Sequence, residues 1–146
     1  MKIAQFPCGF ISANCYVINR TGYKSCVVID PGGPSKRLEQ YLNEGHLLPE
    51  YIILTHGHGD HTGGIDRLKE LYPEIKLIAG KKEAKLLYDR RMSMGQGGIV
   101  ADINVTDNEE LDLCGIHMKI IETPGHTPGC VCFWYEADEL LLSGDT

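Results

Sequence analysis

Several absences narrow the class of this 146-residue sequence before any motif is considered. No apolar run is long enough to cross a bilayer, and the first ten residues, MKIAQFPCGF, carry no secretory pattern. Cytoplasm is therefore the expected location, with no membrane partner. There is no cluster of Lys or Arg, and the net charge of −6 sets the chain against nucleic-acid binding. Cysteine is present six times (Cys8, Cys15, Cys26, Cys114, Cys130, Cys132), but no Cys-x-x-Cys pair occurs. Without a signal peptide, free thiols are expected rather than disulfides. Cys130 and Cys132 would share one face of a strand, and inward packing as small apolar residues is favoured over metal binding. No low-complexity tract, repeat or linker interrupts the chain, so residues 1–146 read as a single domain.

What is present is an ordered change of period. Met1–Pro7, Cys15–Asn19 and Cys26–Asp30 are short β-prone runs separated by turn residues. Pro34 then opens a segment with Leu38, Tyr41 and Leu42 on one face and Gly45 as its stop, which predicts a helix. Tyr51–Leu54 is a continuous apolar run, as in a strand covered on both sides. Ile65, Leu68, Leu71 and Tyr72 predict a second helix ended by Pro73, Ile75–Ala79 a third buried strand, and Lys81–Arg91 a further helix. This alternation implies parallel strands joined by crossover helices. After the Gly-rich stretch Ser93–Gly98, the segments Glu110–Asp112, His117–Thr123, Val131–Tyr135 and Leu140–Ser143 read as strands with short connections, in an antiparallel or mixed sheet. Two face-to-face sheets with helices outside accommodate that order.

Two strand ends deliver the polar residues. Val27–Ile29 runs into Asp30-Pro-Gly-Gly, and Tyr51–Leu54 runs into Thr55-His-Gly-His-Gly-Asp-His61. Sites of parallel sheets form at the carboxyl ends of strands. His56 and His58, two apart in extended backbone, point to one side, and the intervening glycines permit tight backbone paths. Asp60 and His61 follow at the start of the next helix. Imidazole nitrogen and carboxylate oxygen together suit Zn²⁺, Fe or Mn. Three histidines and an aspartate so close together are a poor match for an ordinary polar loop. His126, within Thr123-Pro-Gly-His-Thr-Pro-Gly129, and Asp145, after Leu140–Leu142, bring the candidate ligands to six. His46, behind a helix stop, and His117, on a strand face shared with Lys119, have no such role. Arg90-Arg91 and the Met92–Gly98 loop are read as an exposed helix end and linker in preference to a wall of the cleft.

His56-Gly-His-Gly-Asp-His61 resembles the H-x-H-x-D-H signature of the metallo-β-lactamase fold, and Asp30, His126 and Asp145 match three more motifs of that family in order. The resemblance covers nearly the whole chain. It implies an α/β fold, the αβ/βα four-layer sandwich with two mixed sheets, and a dinuclear centre at one edge. By position it assigns His56, His58 and His126 to one metal and Asp60 and His61 to the second, with Asp145 bridging. Asp30 would orient ligands without binding, and Asp60 is the candidate catalytic residue. The implied cofactor is Zn²⁺, up to two ions in the complete fold, with Fe or Mn as alternatives. The family's second metal has one more ligand, a histidine in a later Gly-His motif. The sequence reaches Thr146 without it, so a fold incomplete at its carboxyl end and a weak second site are expected.

Two cations sharing a water bring its pKa toward neutrality, so the resemblance implies hydrolysis by metal-bound hydroxide with no Ser, Cys or Lys nucleophile. Thr123–Cys130 followed by Leu142–Thr146 is most similar to the glyoxalase II-like branch, which hydrolyses thioesters such as hydroxyacylglutathione. A small-molecule substrate is thus implied. A persulfide dioxygenase with a single iron, and a truncated non-catalytic metal-binding module, are the alternatives. A β-lactamase is disfavoured by the missing signal, and an RNase Z-type phosphodiesterase by the acidic balance.

Overall fold

The alternation of side chains along the strands decides how the layers stack. In the computed structural model, which describes residues 1–146, a six-stranded sheet contains β1 (Lys2–Cys8), β2 (Ala13–Asn19), β3 (Ser25–Ile29), β4 (Leu48–Ile53), β5 (Lys76–Gly80) and β6 (Ile103–Val105), in that order. The first three strands are antiparallel neighbours, and β3 through β6 are parallel. A second sheet has the order β10 (Leu140–Leu142), β9 (Val131–Tyr135), β8 (Ile116–Glu122), β7 (Glu110–Leu113). Of the two arrangements open for this sheet it is antiparallel throughout, not mixed, because its strands follow one another through short reversals.

Period two then sorts β3 between two cores. Val27 and Ile29 join Ile18, Ile53 and Ile78 against Met118, Ile120, Phe133 and Tyr135 of the second sheet. Cys26 and Val28 face the other way, toward the helices. Those helices are α1 (Lys36–Glu44), α2 (Gly59–Thr62), α3 (Ile65–Leu71), α4 (Ala84–Tyr88) and α5 (Arg90–Ser93). Leu38 and Leu42 of α1, Ile65 and Leu68 of α3 and Leu87 of α4 cover the first sheet. Each such side chain contributes about 1.5–3 kcal/mol by leaving water. The sheet-on-sheet sandwich with external helices is the expected α/β architecture. No helix is long and apolar enough to cross a membrane.

Helix α1 starts where Ser35 Oγ accepts the Leu38 N–H (3.3 Å) and ends at Gly45, as the pattern predicts. Leu71, placed on the apolar face of the second helix, is instead 38% exposed in its last turn. The single helix expected over Lys81–Arg91 is broken into a 3₁₀ turn (Lys81–Glu83), α4 and α5. Asp89 causes the second break. Its backbone is extended and its carboxylate accepts the N–H groups of Arg91 (2.8 Å) and Met92 (3.1 Å), capping a new helix. Strand β6 has no signature in the sequence, since Ile103-Asn-Val105 is too short to show a period. It forms by pairing with β5, from Ile78↔Ile103 to Gly80↔Val105.

The sheets meet at the site. Asp30 leaves β3 with its N–H on Ile53 O (3.1 Å), and the Val131 N–H at the start of β9 donates to Thr55 O (2.9 Å). That bond ties the second sheet to the residue preceding the histidine-rich loop.

Candidate metal centre

Four of the six predicted ligands come from the segment that leaves β4. Leu54 N–H stays bonded to Ile78 O (3.0 Å), after which Thr55 and His56 are buried, His58 forms the N-cap of α2, and Asp60 and His61 lie on its one turn. His126 enters from the β8–β9 connection and Asp145 from the turn after β10. All six are brought together. The ring nitrogens of His56, His58 and His126 converge within 4.8 Å of one another, as do donor atoms of His56, His61 and Asp145.

The two donor sets touch. His58 Nδ1 is 2.9 Å from His126 Nε2, and two imidazole nitrogens that close share either a proton or a cation. Asp145 lies between the sets, with Oδ1 3.2 Å from His61 Nε2 and Oδ2 3.4 Å from His126 Nε2. Asp60 Oδ2 is 3.4 Å from the same His61 nitrogen.

Asp30 settles which nitrogen of the His56 and His61 rings faces inward. It is buried at a left-handed φ of +49°, a conformation Asp tolerates and one that turns its carboxylate toward the loop. Oδ1 accepts the Thr55 N–H (2.8 Å), and Oδ2 accepts the Thr55 hydroxyl (2.6 Å) and the His61 Nδ1–H (3.0 Å). In its neutral form His61 therefore keeps its proton on Nδ1 and turns the Nε2 lone pair toward Asp60 and Asp145. The Thr55 hydroxyl, its only proton given to Asp30, can only accept from His56 Nδ1 (3.1 Å). His56 Nε2 is left as a lone pair, buried and without a hydrogen-bond partner. An orphaned buried acceptor aimed among imidazoles and carboxylates fits a cation and fits little else.

Electrostatics divide the cluster. Burial, reinforced by His61, His58 and His126 and opposed by Asp60, pushes His56 down to about 3. His58 is lowered as well, by burial first and then by His126. Both are thus neutral near pH 7, the form that ligates metal. Burial would also lower His61, but the hydrogen bond and charge of Asp30, with the charges of Asp60 and Asp145, outweigh it and raise the pKa. Beside the cluster, Ile11, Ser12, Asn14, Tyr16, Asp60 and Asp145 line part of a cleft of about 320 Å³.

His46 and His117 lie outside the site. His46 is exposed, and His117, also exposed, contacts Asp112 (3.1 Å) and Glu110 (3.6 Å). Cys130 and Cys132 are buried beside Thr127 and Thr123 and join neither donor set, and all six cysteines are free. The Met92–Gly98 loop packs closer to the site than a linker would. Its Gly95 and the Met94 carbonyl lie so near Gly59 that a side chain there would collide at 2.6–2.8 Å. Two participants had no signal in the sequence: Thr55 as the proton relay between Asp30 and His56, and Glu83, whose contacts depend on the folded loops.

A donor set of this kind at the strand ends of a two-sheet α/β sandwich defines a class of metallo-hydrolases. The chain belongs to the metallo-beta-lactamase superfamily, whose family model matches residues 8–146. It is 33% identical over 154 residues to the probable metallo-hydrolase YqgX of Bacillus subtilis, covering 99% of this chain and 71% of that protein. It is 29% identical over 153 residues to the hydroxyacylglutathione hydrolase GloC of Haemophilus influenzae, with coverage of 99% and 71%. Among solved structures it is similar to the BLEG-1 B3 metallo-beta-lactamase, with a TM-score of 0.86 and 31% identity, covering 97% of this chain and 71% of that one.

Proposed function

We propose that this chain is a zinc-dependent thioester hydrolase of the glyoxalase II type, acting on small hydroxyacyl thioesters. The observation that carries the reading is the buried, unpartnered Nε2 of His56 facing the nitrogens of His58 and His126. In this reading those three residues would hold one cation, Asp60 and His61 would serve a second, and Asp145, within 3.4 Å of nitrogens of both sets, would be shared between them. Asp30 and Thr55 hold the tautomers that expose the ligand lone pairs. A divalent cation there supplies Lewis acidity, lowering the pKa of water and offsetting charge on a carbonyl oxygen.

The chain's own groups do the rest. Asp60 lines the cleft, and we assign its carboxylate to orienting the attacking water and taking its proton. Ile11 and Ser12 of the β1–β2 turn, with Asn14 at the start of β2, form the facing wall against which the acyl group is oriented. A thiolate leaving group, whose parent thiol ionises near about pH 8.5, departs without a general acid. GloC supports the thioester class, and the free cysteines support a reducing, cytoplasmic setting.

The test is thiol release from S-D-lactoylglutathione by the zinc-loaded chain. Release is expected, and substitution of His58 or His126 by Ala should reduce it to background. The similarity to BLEG-1 makes a cephalosporin the necessary comparison. Faster opening of the β-lactam ring, or oxygen uptake with glutathione persulfide by an iron-loaded sample inert to the thioester, would overturn the assignment.

A further inference from the structure

Glu83 is fully excluded from solvent and has no Lys, Arg or His partner at ion-pair distance. A carboxylate in that position costs several kcal/mol unless hydrogen bonds replace its water. Three do. Oε1 accepts the Gly57 N–H (2.9 Å), and Oε2 accepts the Thr127 hydroxyl (3.0 Å) and the Gly129 N–H (2.8 Å). The donors are not scattered. Gly57 lies between His56 and His58, and Thr127 and Gly129 follow His126 by one and three residues.

We infer that Glu83 is a positioning residue that clasps the His56–His58 turn to the His126 turn and so sets the separation of the three imidazoles. The inference rests on the proposed assignment of those histidines as ligands. No other side chain accepts backbone amides from both turns, which arrive from opposite sheets. The local backbone is shaped for the approach. A Cβ on Gly129 would overlap the Glu83 nitrogen and carboxylate, and one on Gly57 would meet Leu86 and Leu87 of α4 at 2.8 Å. Both positions admit only glycine while α4 and Glu83 stay where they are. A carboxylate suits the role because it is acceptor-only at both oxygens, and each oxygen faces a different turn. Glutamine keeps the length but turns a donor toward one of the two turns, and aspartate is too short to reach both.

The experiment compares the unsubstituted chain with Glu83→Gln, Thr127→Val and Leu42→Ala. Leu42 lies in α1, in the helix-side core, and shares no hydrogen bond with either turn, so its truncation controls for lost stability. Three readouts are taken: zinc affinity by competition with a chelator, the cobalt(II) absorption bands, and hydrogen exchange of the Gly57 and Gly129 amides in metal-free protein. Glu83→Gln should weaken zinc binding by roughly 10–100-fold, alter the cobalt bands and speed exchange of one of the two amides. Thr127→Val should do so more mildly. Leu42→Ala should lower the melting temperature while keeping affinity and bands. Where Glu83→Gln does not fold, Thr127→Val decides. Unchanged affinity and cobalt bands in the clasp variants, or an equal affinity loss in Leu42→Ala, would overturn the inference. Zinc binding indifferent to His58→Ala would overturn the ligand assignment as well. Binding that needs His58 but ignores Glu83 and Thr127 would overturn the clasp alone.

Discussion

Replacing Asp30 by Asn keeps volume and shape and exchanges one acceptor for a donor. The amide oxygen retains the Thr55 N–H, now accepted by Oδ1 at 2.8 Å, and the amide nitrogen takes the place of Oδ2. Oδ2 at present receives the Thr55 hydroxyl at 2.6 Å and the His61 Nδ1–H at 3.0 Å. Facing a donor, His61 must accept at Nδ1 and carry its proton on Nε2, the nitrogen 3.2 Å from Asp145. The Thr55 hydroxyl must turn its proton toward His56 Nδ1, 3.1 Å away, which moves the His56 proton to Nε2. One substitution thus converts two lone pairs of the site into N–H groups. Two bonds to a charged acceptor, at about 1.5–3 kcal/mol each, become neutral ones worth about 0.5–1.5 kcal/mol each. The metal-free fold should lose about 2–3 kcal/mol, a fall in melting temperature of roughly 6–10 °C for a domain of this size. Zinc affinity should fall by at least about 10–100-fold. Calorimetry of chelator-treated protein, chelator competition and imidazole ¹⁵N shifts measure the three effects. A melting temperature within about 1 °C of the original, with unchanged affinity and ¹⁵N shifts, would refute the relay.

Gly144→Ala should be more harmful than its size suggests. Gly144 sits at φ +54°, where an L-residue costs about 1–2 kcal/mol, and its Cβ would overlap the Thr55 hydroxyl. The turn carrying Asp145 must shift, so melting temperature and metal affinity should fall together, and a drop in neither would show that the turn yields freely. Alkaline pH should unfold the protein through Cys26. Burial, with Cys114 and Glu50 nearby, raises that thiol from 9.0 to about 12, and Cys114 rises to about 11 in the same direction. An acid whose folded pKa is raised contributes stability that is complete below pH 9 and is lost as pH climbs toward 12. For Cys26 the upper limit of that contribution is about 4 kcal/mol. Denaturant midpoints measured between pH 8 and 11 should decline, and less steeply in Cys26→Ala; identical slopes would count against the argument.

Much of the fold was legible because its signals are local. The apolar period along Leu38, Tyr41 and Leu42 with its stop at Gly45, and the continuous runs at Val27–Ile29 and Tyr51–Leu54, need no distant partner to be read. The ligand loop was legible for the same reason, since four donors fall within six residues. The break at Asp89 was hidden inside a helix-favouring stretch, where a side chain's choice between solvent and two backbone amides leaves no periodic trace. Strand β6 exists only because β5 offers it an edge.

The candidate site divides along the same line. Sequence alone determined which donor types the chain brings, His56, His58, Asp60, His61, His126 and Asp145, and which strand ends carry them. The tertiary structure decided which atom of the His56 and His61 rings faces inward. That choice belongs to Asp30, 25 residues from Thr55 and 31 from His61, and to Thr55 acting between Asp30 and His56. It also decided that Glu83, 26 residues from Gly57 and 46 from Gly129, would hold both turns. A tautomer is set by the partner of the opposite nitrogen, and only the folded chain brings that partner near.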